Sequence, residues 1–160
     1  MLVLIIGDFW IPEREIDLPT KFKKLLVPGK ISSILVTGNT DPKTIEYLST
    51  ICPTIITKST VEYEGFKIGL MSGWDKEVYG RASNVDIVVS GGSHVFEAYE
   101  KHGRFYVDPG SATGAFTLDQ DEVIPSFVLM DVRPNAFSLY IYKLITGQVK
   151  VEKMDYSKPL

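Results

Sequence analysis

Leu2-Val3-Leu4-Ile5-Ile6-Gly7-Asp8-Phe9-Trp10 is the stretch on which the fold turns. Five consecutive apolar residues suit a strand buried on both faces, and such strands belong to sheets covered by helices. The run ends abruptly in a glycine and an acid. From Leu18 to Val27, Phe22, Leu25 and Leu26 recur at helical spacing, with Thr20 as the expected N-cap and Pro28-Gly29 as terminator. Ile31 to Val36 is the next strand. Asp41-Pro42 opens a second helix through Tyr47 and Leu48, with Asp at the cap and Pro in the first turn. Thr54–Thr57, Phe66–Met71 and Asp86–Val89 continue the strand series.

Beyond residue 94 the helices stop. Val95–Tyr99 and Arg104–Val107 flank a turn at Lys101-His102-Gly103. Phe127–Val132, Ser138–Leu144 and Val149–Met154 follow closely, joined by Arg133-Pro134-Asn135 and Thr146-Gly147-Gln148. A first half that alternates strand and helix, then a second half of antiparallel strands, predicts an α/β chain. The expected architecture is two packed mixed β-sheets flanked by helices, an αββα sandwich, not a single doubly wound sheet.

The chain has 160 residues, which predicts one domain over residues 1–160. Net charge −3 and pI near 5.4 argue against a nucleic-acid surface or a polybasic membrane anchor. One cysteine, Cys52, excludes an internal disulfide and a cysteine-cluster zinc site, and two histidines leave little for a multi-histidine centre. No segment reaches the ~18–20 apolar residues of a membrane span. The N-terminus lacks the basic start of a signal peptide, so a cytoplasmic setting is expected.

Strand after strand ends in glycine beside a polar group: Gly7-Asp8, Thr37-Gly38-Asn39, Ser72-Gly73, Ser90-Gly91-Gly92-Ser93-His94 and Asp108-Pro109-Gly110. In α/β sheets the carboxyl ends of parallel strands share one rim, where ligands bind. Two readings stand side by side: short βα loops need glycine for its conformational freedom, or the rim is built for a ligand.

Gly7-Asp8-Phe9-Trp10, Thr37-Gly38-Asn39, Gly69-Leu70-Met71-Ser72-Gly73 and Gly91-Gly92-Ser93-His94 resemble incomplete motifs of the calcineurin-type metallophosphoesterase superfamily. Longer runs resemble its retromer-subunit branch: Leu18 to Ile31, Asp108 to Ala115, Ile124 to Asp131 and Val149 to Glu152. The superfamily's chemistry uses two cations ~3.5–4 Å apart to polarise a phosphoryl oxygen and to generate hydroxide. On that pattern Asp8, Asn39 and His94 keep ligand positions, while Trp10, Ser72 and Gly92 stand where histidines belong. The third motif falls near Lys58-Ser59-Thr60, without an Asp or Asn. A neutral amide bridges two dications poorly, an indole offers no lone pair and glycine offers no side chain. The resemblance therefore implies a scaffold with no catalytic residue, no cofactor and no bound metal. A divergent metal-dependent phosphoesterase with one metal or an altered site is the alternative.

As partners the resemblance implies the large helical-solenoid retromer subunit, docked over the old metal face, and regulators of endosomal transport on an apolar patch. The complex would hold the chain peripherally on endosomes, with no direct membrane insertion. The implied patch is Leu2, Leu25, Leu26, Leu129, Tyr140, Tyr142 and Val151, and Trp10 and Trp74 are expected anchors on the rim. Other motifs carry less. Ser111 and Ser126 lack motif-placed triad partners. Gly110-Ser111-Ala112-Thr113-Gly114 has no phosphate-loop lysine. Cys52 reads as a buried thiol and His102 as a solvated turn residue.

Overall fold

In the first strand, β1 (Leu2–Gly7), Val3, Leu4, Ile5 and Ile6 are all fully buried. Alternation explains how four consecutive side chains of one strand are lost to the interior. Val3 and Ile5 point between two sheets, while Leu4 and Ile6 point under helices on the outer side. The computed structural model describes residues 1–72 and 75–159.

Within those residues, β1 is followed by α1 (Thr20–Leu25), β2 (Ser33–Thr37), α2 (Pro42–Ile51), β3 (Ile55–Ile56), β4 (Ser59–Tyr63), β5 (Phe66–Ser72) and α3 (Lys76–Ser83). Then come β6 (Ile87–Gly91), β7 (Phe96–Lys101), β8 (Arg104–Pro109), β9 (Ser126–Arg133), β10 (Ala136–Ile145) and β11 (Gln148–Ser157). One sheet runs β11-β10-β9-β1-β2-β3 and the other β4-β5-β6-β8-β7. β1–β2–β3 and β5–β6–β8 pair in parallel, and the remaining neighbours are antiparallel. α1 and α2 cover the first sheet through Phe22, Leu48 and Ile51, and α3 covers the second through Tyr79. The expected two-sheet sandwich is the observed one.

The hairpin turns follow from local chemistry. His102-Gly103, Pro134-Asn135 and Thr146-Gly147 each close a hairpin as a two-residue turn, with Gly103, Asn135 and Gly147 at φ 76°, 64° and 77°. Differences arise where the pattern is weak. Thr20 does not cap α1: Pro19 occupies the cap position, no side chain closes the end, and the helix is only six residues long. The strand expected over Thr54–Thr57 shrinks to two residues at a sheet edge. β4 and α3 have no counterpart in the sequence reading. β4 is an exposed edge strand and α3 is polar, started by Asp75, which accepts from the Val78 N–H at 2.9 Å. Cys52 is buried and His102 exposed, as expected.

Candidate functional site

All six motif positions meet. Asp8, Trp10, Asn39, Ser72, Gly92 and His94 line a single cleft of about 820 Å³ where β1, β2, β5 and β6 end. Lys58, from the third motif's position, lines an adjoining cavity of about 350 Å³ with Asn39 and Ser72. The backbone that carries these groups is held in unusual conformations. Asp8, Trp10 and His94 have φ of 49°, 50° and 65°, a region side-chain-bearing residues avoid unless their surroundings enforce it. Gly38 shows how close the packing is. At φ 62° it faces the Asp8 carboxylate, and a Cβ there would lie 1.8 Å from Oδ1.

The segment Gly110–Ala115 does the enforcing. Ser111 Oγ donates to the Asp8 carbonyl at 2.7 Å and accepts from the Ala115 N–H at 2.9 Å. Thr113 Oγ1 donates to the Phe9 carbonyl at 2.6 Å, and Ser126 Oγ donates to the Pro109 carbonyl at 2.6 Å. Ser111 and Thr113 are structural straps across the loop that follows β1, and Ser126 ties the end of β8 to the start of β9. The glycine spacing of residues 110–114, read above only as a failed phosphate loop, is the signal for that strap.

Asp8, Asn39 and His94 each have an internal partner, while the buried hydroxyls of Thr37 and Thr40, in the adjoining cavity, have none among the described residues. Asp8 accepts from the backbone N–H of Gly92 at 2.8 Å and of Asn39 at 3.4 Å. Asn39 Oδ1 accepts from the Trp10 N–H at 3.0 Å. His94 Nδ1 lies 2.7 Å from the Ala115 carbonyl, and its Nε2 accepts from the Trp10 indole N–H at 3.1 Å. The outer face of the Trp10 ring carries the Arg14 guanidinium at 4.1 Å, which also lies 5.0 Å from the Phe116 ring and donates to the Phe116 carbonyl at 2.7 Å.

Burial dominates the electrostatics. It pushes the Asp8 carboxyl above its usual range, against the Gly92 and Asn39 N–H groups, which favour the charge. Asp108, which the sequence reading placed on the rim without a role, is pushed up to about 6. Burial is the main cause, the Gly110 N–H and the Ser93 hydroxyl oppose it, and the Asp8 charge adds to it. Two buried carboxylates thus share a cleft whose nearest cations, Arg14 and Lys76, are taken up by the aromatic stack and by Glu97 at 3.1 Å.

These donors do not fit a two-metal centre. Zinc or manganese needs free lone pairs converging on one point; the single lone pair of His94 Nε2 is already spent on the Trp10 indole, and Asn39 Oδ1 is a neutral amide oxygen that already accepts from the Trp10 N–H. Among the described residues no group of three or more His, Cys, Asp or Glu is placed to hold a metal ion.

The patch residues fall on the outward side of the first sheet. In the register, Leu4, Leu129 and Tyr140 lie side by side, as do Phe127, Tyr142 and Val151. Tyr142 stacks on Phe127, with ring centres 4.7 Å apart, and Phe127 meets Phe22 of α1 edge-on. Leu2, Leu129, Tyr140 and Tyr142 are half-buried, while Leu25 and Val151 are 45% and 52% exposed. Leu26 is a correction. It is only 4% exposed, because at the end of α1 it turns inward onto Phe22 and Phe127 and belongs to the core. Trp10 is partly exposed on the rim, as expected, and Trp74 lies outside the described residues.

Residues 1–135 match the model of the calcineurin-like phosphoesterase superfamily domain. Vacuolar protein sorting-associated protein 29 of Schizosaccharomyces pombe is 41% identical over 186 aligned positions, covering 99% of this chain and 100% of its own. The crystal structure of Chaetomium thermophilum Vps29 superposes with a TM-score of 0.92 at 39% identity, covering 99% and 98% of the two chains. Entamoeba histolytica Vps29, solved in complex with Zn2+, superposes with a TM-score of 0.89 at 35% identity over 97% and 99%.

Proposed function

The chain belongs to the Vps29 family of the calcineurin-like phosphoesterase superfamily, and from that premise we infer that it is a non-catalytic scaffold subunit of retromer in endosomal protein transport. The observation that carries this reading is the apolar row Leu129, Tyr140, Tyr142 and Val151, with Leu25 beside it, on the outward face of a sheet whose inward face is core. An apolar surface backed by rigid β-structure is a docking surface, and tyrosine supplies contact area with a polar tip. We assign it to regulators of endosomal transport.

The opposite end offers the second surface. Trp10, Arg14 and Phe116 form a stack at the cleft mouth, with Leu118 fully exposed beside it. This is where the large helical-solenoid subunit docks in the proposal, and the complex in turn keeps the chain peripherally on endosomes. Trp10 is the anchor, so Trp10→Ala costs about 2 kcal/mol or more of affinity, roughly thirtyfold. Titrating the large subunit with wild-type and Trp10→Ala protein, alongside melting curves, tests it. A large loss of melting temperature with unchanged affinity per folded molecule refutes the anchor. The competing reading, a phosphoesterase with one metal, is favoured only by the zinc complex of the Entamoeba relative.

A further inference from the structure

The geometry points to Trp10 as a built-in blocking group: its indole N–H occupies the coordination position of His94, so the cleft is closed to a borderline divalent cation by one hydrogen bond. His94 is 2% exposed, and its Nδ1 is 2.7 Å from the Ala115 carbonyl. A carbonyl can only accept, so Nδ1 carries the proton and the lone pair of the neutral ring sits on Nε2. That is the arrangement a metal-ligating histidine takes, with its other nitrogen tied to the backbone. The surroundings therefore still prepare His94 as a ligand.

What Nε2 meets is Trp10 Nε1, 3.1 Å away. Indole nitrogen is a donor only, so the direction of this bond is settled. Its proton falls about 2 Å from Nε2. Zinc on an imidazole sits at about 2.0–2.1 Å. The proton and the ion compete for the same point in space. The backbone N–H of Trp10 also binds Asn39 Oδ1 at 3.0 Å, which leaves that oxygen its second lone pair. The ring cannot swing clear at no cost, since Arg14 lies over its face at 4.1 Å and is tied to the Phe116 carbonyl. Closure is thus local: Asp8, Asn39 and His94 line the same cleft as the one side chain that takes the His94 lone pair.

One substitution should reopen the cleft. Trp10→His would supply a lone pair in place of the donor, beside Asp8, Asn39 and His94. Trp10→Phe removes the N–H and keeps a ring for Arg14 to stack on. The probe is Zn2+ alone, followed by equilibrium dialysis and metal analysis of the full chain. Zinc is expected to bind Trp10→Phe at least about tenfold, and Trp10→His about a hundredfold, more tightly than wild type, with the gain lost in Trp10→His/His94→Ala. Equal affinity in all variants, or tight stoichiometric zinc in wild type, overturns the inference.

A second measurement needs no altered ligand set. The Trp10 indole resonance of the 15N-labelled wild-type protein, assigned by its loss in Trp10→Phe, should exchange with solvent at least about tenfold slower than a free indole. Exchange at the free rate would mean that the bond to His94 is absent, and the inference fails. Neither measurement involves a partner protein, so its failure leaves the docking role standing and the reverse also holds.

Discussion

The cleft and the outer face of the first sheet use polar and apolar groups in opposite ways. In the cleft, Asp8, Asn39, His94 and Asp108 are drawn inward and each is answered by a neighbour: Gly92 N–H, Trp10 N–H, the indole, Ser93. On the outer side of the first sheet, Leu25 of α1 and Val151 of β11 are about half exposed among the described residues. The first region has the shape of a site, and its central polar groups are paired internally. The second retains unused apolar area. Recognition therefore follows unsatisfied surface, while a surviving pocket can be a purely structural network.

The sharpest way to break this contrast is at Gly38. Alanine there must force a side chain against Asp8 Oδ1 at φ 62°, so Gly38→Ala should lose about 4 kcal/mol in urea unfolding. A loss under about 1 kcal/mol would mean that the rim is looser than described.

Next comes Asp108, whose folded carboxyl titrates at about 6 against a usual 3.8. A raised carboxyl pKa means the folded state holds the proton more tightly. The contribution of Asp108 to stability is therefore greatest below about pH 4, falls as pH rises through 4 to 6, and stays low above. Asp108→Asn removes that slope. An amide can still accept from Gly110 and can donate to Ser93, whose hydroxyl then serves the Val95 carbonyl. Melting near pH 7.5 should show a gain of up to about 3 kcal/mol that vanishes near pH 4. A pH-independent difference would contradict a protonatable, self-satisfied cleft.

Smaller still is the effect at the sheet face. Val151→Asp should change stability by less than about 0.5 kcal/mol yet weaken regulator binding about tenfold. Leu129→Asp and Tyr142→Asp are expected to abolish that binding with the fold preserved, and failure of Leu129→Asp to fold would place Leu129 in the core. Leu26→Asp, by contrast, should unfold the chain, because Leu26 packs on Phe22 and Phe127.

Much of this was legible in the residues. Continuous apolar runs such as Leu2–Ile6 mark strands buried on both faces, and glycine-acid endings mark the rim where they stop. The motif spacing brought Asp8, Trp10, Asn39, Ser72, Gly92 and His94 together correctly. What the spacing could not show is orientation. Leu25 and Leu26 are chemically equal, and only the turn at the end of α1 sends one to solvent and the other to the core. Trp10 read as a lost ligand, but that its N–H would reach His94 depends on a left-handed backbone no pattern announces. Asp108 needed the fold, because its shift comes from burial and from Asp8, a hundred residues earlier in the chain.

The central claim is that the cleft serves structure and docking, not phosphoryl chemistry. Hydrolysis of aryl phosphates and phosphodiesters, with Mn, Zn or Mg supplied to wild type and to Asp8→Ala/Trp10→Ala protein, tests it most directly. The two proteins should be indistinguishable from each other and from buffer. Wild-type turnover well above the double variant would contradict the account.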